Sequence, residues 1–244
     1  MLVTKRTTSL TIMLAAALVV PGCGKSKPET PQSSAAGTAA TLLADSAGHS
    51  SAGDSLIARA DSARIEGSPT APIWIIEVSD FQCPFCRSFH AETYPTIKQD
   101  YVATGKARLA YLNFPIESLH KNAWPAALAA MCAAAQDKFW PMHDALFNAQ
   151  DRWASQSDPT PVLDSLASSI GVDRRPFDAC LSSKAMLPLV QADKERAEER
   201  GANSTPTFFI GSQKIEGAES IDVFRRVIDA ELAKAAGGRG TSHG

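Results

Sequence analysis

Residues 73–90, "IWIIEVSDFQCPFCRSFH", constrain this chain more tightly than any other stretch. The continuous apolar, β-branched run through Val78 reads as a buried strand, and Glu77 is the one carboxylate inside it. Pro84 suits a first helical turn, so a helix is expected from Pro84 to about Tyr101, kinked or interrupted at Pro95. Cys83 and Cys86 therefore sit at a strand-to-helix junction. A thiolate there faces unsatisfied backbone N–H groups and the positive end of the helix dipole, which lower its pKa below roughly 8.5. Cys83 is expected to be an exposed nucleophile. Cys86, one turn in, is expected to face the core and resolve a mixed disulfide. Taken alone, a Cys-x-x-Cys pair could equally be half of a zinc site.

The rest of the chain reads as two halves of one α/β sheet split by helices. "KARLAYLNF" forms a second strand, with Leu109, Tyr111 and Asn113 alternating against Ala110 and Leu112. A helical block over about residues 119–200 includes "NAWPAALAAMCAAAQ", "DKFWPMHDALFNA" and "PTPVLDSLASSIG". "TPTFFIG" and "QKIEG" are strands around a Gly-Ser turn. A closing amphipathic helix puts Ile221, Phe224, Ile228 and Leu232 on one face. Residues 237–244 are expected to be a disordered tail. The domain plan is residues 61–118, 119–200 and 201–236, preceded by two segments of another kind.

The first of these opens with Lys5 and Arg6, followed by the eleven-residue apolar run "LTIMLAAALVV" and then "PGC". That pattern is an export signal over residues 1–22, since a bilayer span takes about 20 apolar residues. Gly22 before Cys23 resembles the lipobox of bacterial lipoproteins, which implies lipidation at Cys23. An ordinary cleaved signal is the alternative. Residues 23–60 are rich in Ser, Ala, Gly, Thr and Pro and read as a flexible tether, with "DSLIARADSARIEG" adding a short helix at its end. Removing the leader leaves 22 basic against 26 acidic residues, a net charge of −4. With no basic patch, nucleic acid is excluded as a partner. Export implies an oxidising compartment, periplasmic or otherwise extracytoplasmic. The five cysteines then parse as Cys23 for lipid, Cys83 with Cys86, and Cys132 with Cys180.

"GSPTAPIWIIEVSDFQCPFC", "GKARLAYLNFPI", "HKNAWPAALAAMCAAAQDKFWPMHDALFNAQ", "FDACLSS" and "STPTFFIG" together resemble the DsbA-like thiol–disulfide oxidoreductases of the thioredoxin superfamily, over about residues 61–235. The resemblance implies an α/β thioredoxin fold with a helical domain inserted between the two halves of the sheet. It puts Glu77 beneath the buried cysteine, where its proton could pass to and from Cys86; a solvated strand-edge acid is the other reading. It makes Pro206 a cis-proline opposite the cysteines and Thr205 a backbone partner for an extended substrate; a trans proline opening a strand is the alternative. It also places Cys132 and Cys180 where some members carry a structural disulfide, against two buried free thiols. The dipeptide Pro84-Phe85 departs from the strongly oxidising prototype, which has histidine at the second position. A less depressed Cys83 pKa is expected.

Other polar candidates receive plainer roles. His90, one turn beyond Cys86, would complete only three zinc ligands with the two cysteines, so no metal is expected. His120 reads as a helix-end residue and His143 as a surface residue. Trp124, Phe139, Trp140 and Phe147 read as core. The expected function is a monomeric, exported dithiol oxidase acting on cysteine-containing exported proteins. It would need no cofactor beyond the Cys83–Cys86 disulfide, would be reoxidised by a membrane redox partner, and would be held to the membrane by its lipid. A reductase or isomerase of the same fold, or a metal- or apocytochrome-binding chaperone module, are the alternatives.

Overall fold

The computed structural model describes residues 52–240; the expected leader, Cys23 and most of the expected tether lie outside the described residues. The first element is α1, Ala52–Ala63. It overlaps the end of the expected tether, because its apolar residues have a surface to bury against. Ala60 is fully buried, and Leu56 and Ile57 pack on the helical insertion. The next residue, Arg64, is fully buried between Asp61 and Asp193.

Five strands make one mixed sheet. They are β1 (Ile65–Glu66), β2 (Ile73–Ser79), β3 (Ala107–Asn113), β4 (Thr207–Ile210) and β5 (Gln213–Glu216), in the spatial order β1-β3-β2-β4-β5. β2 is the central strand. It runs parallel to β3, from Ile73 opposite Ala107 to Ser79 opposite Asn113, and antiparallel to β4. Both of its faces are covered, which is why its apolar residues run on without alternating. Its central place also removes the strand-edge reading of Glu77, which is 1% exposed.

The helix expected over 84–101 is divided. α2, Pro84–Glu92, ends at Thr93, and α3, Tyr94–Ile97, restarts with Pro95 in its first turn. Proline lacks an N–H and fits a helix start, so of the two outcomes expected at Pro95 the structure shows the interruption, with a new segment beginning there. A π-helical turn, Lys98–Val102, follows.

Between β3 and β4 come α4 (Ala123–Ala134), α5 (Phe139–Asn148), α6 (Gln150–Trp153), α7 (Thr160–Ser169), α8 (Arg174–Ser182) and α9 (Leu187–Glu199). α4 is apolar almost all round and correspondingly buried. Cys132 on α4 is disulfide-bonded to Cys180 on α8. The apolar cluster of this insertion also contains Phe81, Cys83, Cys86 and Tyr111, so the helical block closes over the cysteine motif. The last helix, α10 (Ile221–Gly240), buries Phe224 and Ile228 and keeps Ile221 and Leu232 at the edge of the same cluster. It continues into the stretch expected to be a disordered tail. The fold is thus α/β with the helical insertion separating β3 from β4. Among the described residues no helix is long and apolar enough to cross a membrane.

Candidate active site

Cys83 caps α2 in an extended conformation, φ −68° and ψ 126°, with Pro84 in the first turn. Its backbone N–H donates to Asp80 O at 3.0 Å, closing the turn from β2. Both motif cysteines are free thiols. The Cys83 thiol donates to Thr205 O at 3.4 Å, and the Thr205–Pro206 peptide bond is cis. The structure therefore brings Thr205 and Pro206, 122 residues away along the chain, against the nucleophile.

Cys83 is not the exposed residue expected from the sequence. It is 4% exposed, because the Thr205 loop and the helical insertion both close on it. Its neighbour Phe85 is 64% exposed and forms the outer surface of the motif. Cys86 is fully buried.

The two thiols differ sharply in acidity. The Cys83 pKa is lowered to about 6: a hydrogen bond from Cys86 is the largest cause, burial opposes it, and the Thr205 side chain and the backbone N–H groups of Cys86 and Phe85 contribute the rest. Burial pushes the Cys86 thiol well up, and the neighbouring Cys83 charge adds to this. One sulfur is therefore anionic at neutral pH while the other holds its proton.

Glu77 lies on β2 six residues before Cys83. Burial raises its pKa to about 8, the Ser79 hydroxyl opposes this, and Glu66 adds to it. Neither Glu77 oxygen has a hydrogen-bond partner among the described residues, and the hydroxyls of Ser79 and Tyr111 are likewise buried and unpaired. Ser79 is two residues from Glu77 and on the same face of the strand. Its hydroxyl acts on Glu77, Cys86 and Tyr111 alike. Glu77, Ser79, Cys86 and Tyr111 are thus all buried, with Ser79 acting on each of the other three.

Three features escaped the sequence reading. Asp80 is 2% exposed and bonds His120 Nδ1 at 2.8 Å and the Ile116 N–H at 3.0 Å. An acid three residues before a nucleophilic thiol was a signal, since an unpaired carboxylate there would hinder thiolate formation. Gln150 donates to Phe81 O at 2.7 Å and Cys83 O at 3.1 Å, tying the motif to the insertion.

The third is His143, expected at the surface but 1% exposed in an aromatic cage that includes Phe81, Tyr111, Phe139 and Phe147. Burial lowers its pKa to about 4, although Asp144 opposes this. His90 and His143 both bond Asp144 Oδ1, at 3.1 and 2.8 Å. The ligating atoms of His90, His143 and Asp144 lie within 4.8 Å of one another, close enough to hold a cation. That oxygen already serves both imidazoles, and the Lys98 charge acts against a further positive charge at His143. A cleft beside this cluster is lined by Tyr94, Lys98, Gln99 and Asn148 among others, and by neither cysteine.

An ionised thiol at a helix tip, a protonated thiol one turn behind it and a cis-proline loop against the first suit disulfide exchange and define the class: a thiol–disulfide oxidoreductase of the thioredoxin fold. The thioredoxin family model Thioredoxin_4 matches residues 60–230, and the chain belongs to that family. Within it the chain is DsbA-like. It is 27% identical over 172 residues to the probable disulfide bond formation protein D of Bacillus anthracis, covering 69% of this chain and 77% of that one. It superposes on α-DsbA1 of Wolbachia pipientis with a TM-score of 0.63 at 29% identity, covering 71% and 92% of the two chains. Oxidised BdbD of Bacillus subtilis gives 0.63 at 26% identity, covering 70% and 92%.

Proposed function

We propose that this chain is an exported dithiol oxidase working through Cys83 and Cys86. In the oxidised enzyme a client thiolate attacks Cys83 Sγ. The Cys83–Cys86 bond breaks and a mixed disulfide forms. Cys86 leaves as a thiolate and takes a proton from Glu77, which is protonated at neutral pH because its pKa is about 8. The client's second thiolate then attacks its own sulfur in the mixed disulfide. Cys83 leaves as a thiolate, the form its pKa of about 6 favours. The client gains a disulfide, the enzyme receives two electrons, and solvent restores the Glu77 proton. A membrane partner that itself exchanges disulfides takes the two electrons back.

The observation that carries this reading is the unequal acidity of the two thiols. A stabilised Cys83 thiolate favours the dithiol form, which makes the disulfide form the better oxidant. A value of about 6 lies inside the range of roughly 3.5–7.5 for activated thiols. Thr205, whose carbonyl already meets the Cys83 thiol, docks the client backbone in extended form. The clients are exported proteins with cysteines, and the enzyme works as a monomer outside the cytoplasm. Its leader and the Gly22-Cys23 pair support attachment through a lipid on Cys23.

Thiol trapping in intact cells tests the direction. Cys83 and Cys86 recovered mainly as a disulfide support an oxidase; recovery mainly as a dithiol indicates a reductase or isomerase. Stoichiometric bound metal with no reduction of insulin would instead mark a binding module. Loss of fatty-acid labelling in Cys23→Ser checks the anchor.

A further inference from the structure

The dipeptide between the cysteines offers no charge to Cys83, yet the turn that presents Cys83 is clamped to a histidine from elsewhere in the chain. Asp80 begins that turn. Its backbone carbonyl accepts the Cys83 N–H at 3.0 Å, and its side chain accepts the Gln82 N–H at 2.8 Å through Oδ1. Its other oxygen takes His120 Nδ1 at 2.8 Å and the Ile116 N–H at 3.0 Å. Gln82 grips the same segment, accepting the Asn122 N–H at 2.7 Å and donating to Ala154 O at 2.8 Å. Asn122 in turn donates to the carbonyls of Trp153, Ala154 and Gln156. His120 is thus fixed from both sides, with its side chain 16% exposed.

We propose that His120, anchored by Asp80, supplies the positive charge beside the Cys83 thiolate that Phe85 does not, and so sets how oxidising the Cys83–Cys86 couple is. This rests on Cys83 being the reactive thiol. The hydrogen bond from Asp80 raises the His120 pKa above its ordinary 6.5, against burial, and the Cys83 charge raises it further. Coupling of this kind is reciprocal: a thiolate that favours the imidazolium is favoured by it to the same extent. Asp80 and Cys83 are the charged groups that act on His120; Glu117 and Lys121, on its own loop, are exposed. His120 is a positioning residue. It holds a charge near the reacting sulfur and exchanges no bond with it.

The experiment compares wild type, His120→Gln and His120→Lys by thiolate absorbance against pH and by equilibration with glutathione. The Gln variant should move the Cys83 titration up by about half to one unit. The glutathione equilibrium should shift about three- to tenfold toward the enzyme disulfide, and the Lys variant should restore both. Gln and Lys variants that titrate alike would overturn the proposal. Should either variant fold poorly, the wild-type ring settles the point by NMR titration. His120 should titrate higher in the dithiol protein than in the disulfide protein, and equal values would overturn the proposal. No client or activity enters that measurement, so it stands apart from failure of the oxidase reading.

Discussion

Glu77 lies directly opposite Tyr111 on the neighbouring parallel strand, and both buried side chains lack a hydrogen-bond partner among the described residues. A carboxyl in that setting stays neutral up to a pKa of about 8, against 4.5 when solvated, and burial is the main cause. The folded protein therefore holds a proton that the unfolded chain releases between those values. Below pH 4.5 both states are protonated and the pH-dependent cost of Glu77 is absent; above pH 8 that cost is felt in full. Wild-type stability should fall by about 1.4 kcal/mol per pH unit across that window from this group alone. Glu77→Gln should remove the slope, as read by urea unfolding at several pH values. Its exchange rate should also lose its pH dependence near 8; an unchanged rate profile would remove Glu77 from the proton path.

Alkylation should separate the cysteines. Cys83 reactivity in the dithiol protein should rise with a midpoint near pH 6, following its lowered pKa. Cys86 should remain unmodified in folded protein, being fully buried with its pKa raised. Cys86→Ser should accumulate mixed disulfides with a disulfide-containing peptide, since the Cys83 thiolate opens the peptide's disulfide and no second enzyme thiol releases it, whereas Cys83→Ser should form none. Mass mapping of the alkylated peptides distinguishes the two sites.

Arg64 joins the end of α1 to the insertion through Asp193, and both side chains are fully buried. Asp193 also accepts the Asn113 N–H at 3.2 Å and the Asn113 side-chain amide at 2.9 Å, so one carboxylate oxygen links α1, β3 and α9. Asp193→Ala would strand a buried guanidinium with Asp61 as its remaining acidic partner. The expected loss is about 3–5 kcal/mol in denaturant unfolding. The exposed Arg59–Asp137 pair should matter far less: Asp137→Ala should leave the unfolding midpoint nearly unchanged.

The Cys132–Cys180 bond closes a sequence separation of 48 residues. On the chain-entropy account, its removal in a Cys132→Ala/Cys180→Ala variant should cost about 4 kcal/mol in urea unfolding. The Cys83 titration should stay near 6, because neither Cys132 nor Cys180 is among the groups that set the Cys83 acidity.

The elements read well from sequence were those whose signal is local. The apolar run of 73–79 appears as a strand, the proline after Cys83 as a helix start, and the Gly211-Ser212 pair as the turn between β4 and β5. At Gly211 the backbone has φ +56°, and an added Cβ would run into the Glu231 side chain, so glycine suits the turn on both counts. What failed was burial of residues whose own neighbourhood is polar. "DSLIARADSA" reads as a short helix at the end of a flexible tether, and the helix is there as part of α1, but packing of Ala60 and Leu56 against the insertion makes it part of the folded body. His143 looked external for the same reason: the rings around it come from β2, β3 and α5 and their connections.

The sequence by itself determined the order of strands and helices and the junction that puts two cysteines at a helix start, because periodicity, proline position and apolar runs act within a few residues. Only the tertiary structure decided which groups lose water. It set Thr205 and Pro206 against Cys83, sealed Glu77 inside a central strand, and brought His120 to Asp80 across 40 residues of chain. Acidity follows desolvation and nearby charge, and both depend on partners that folding alone brings together.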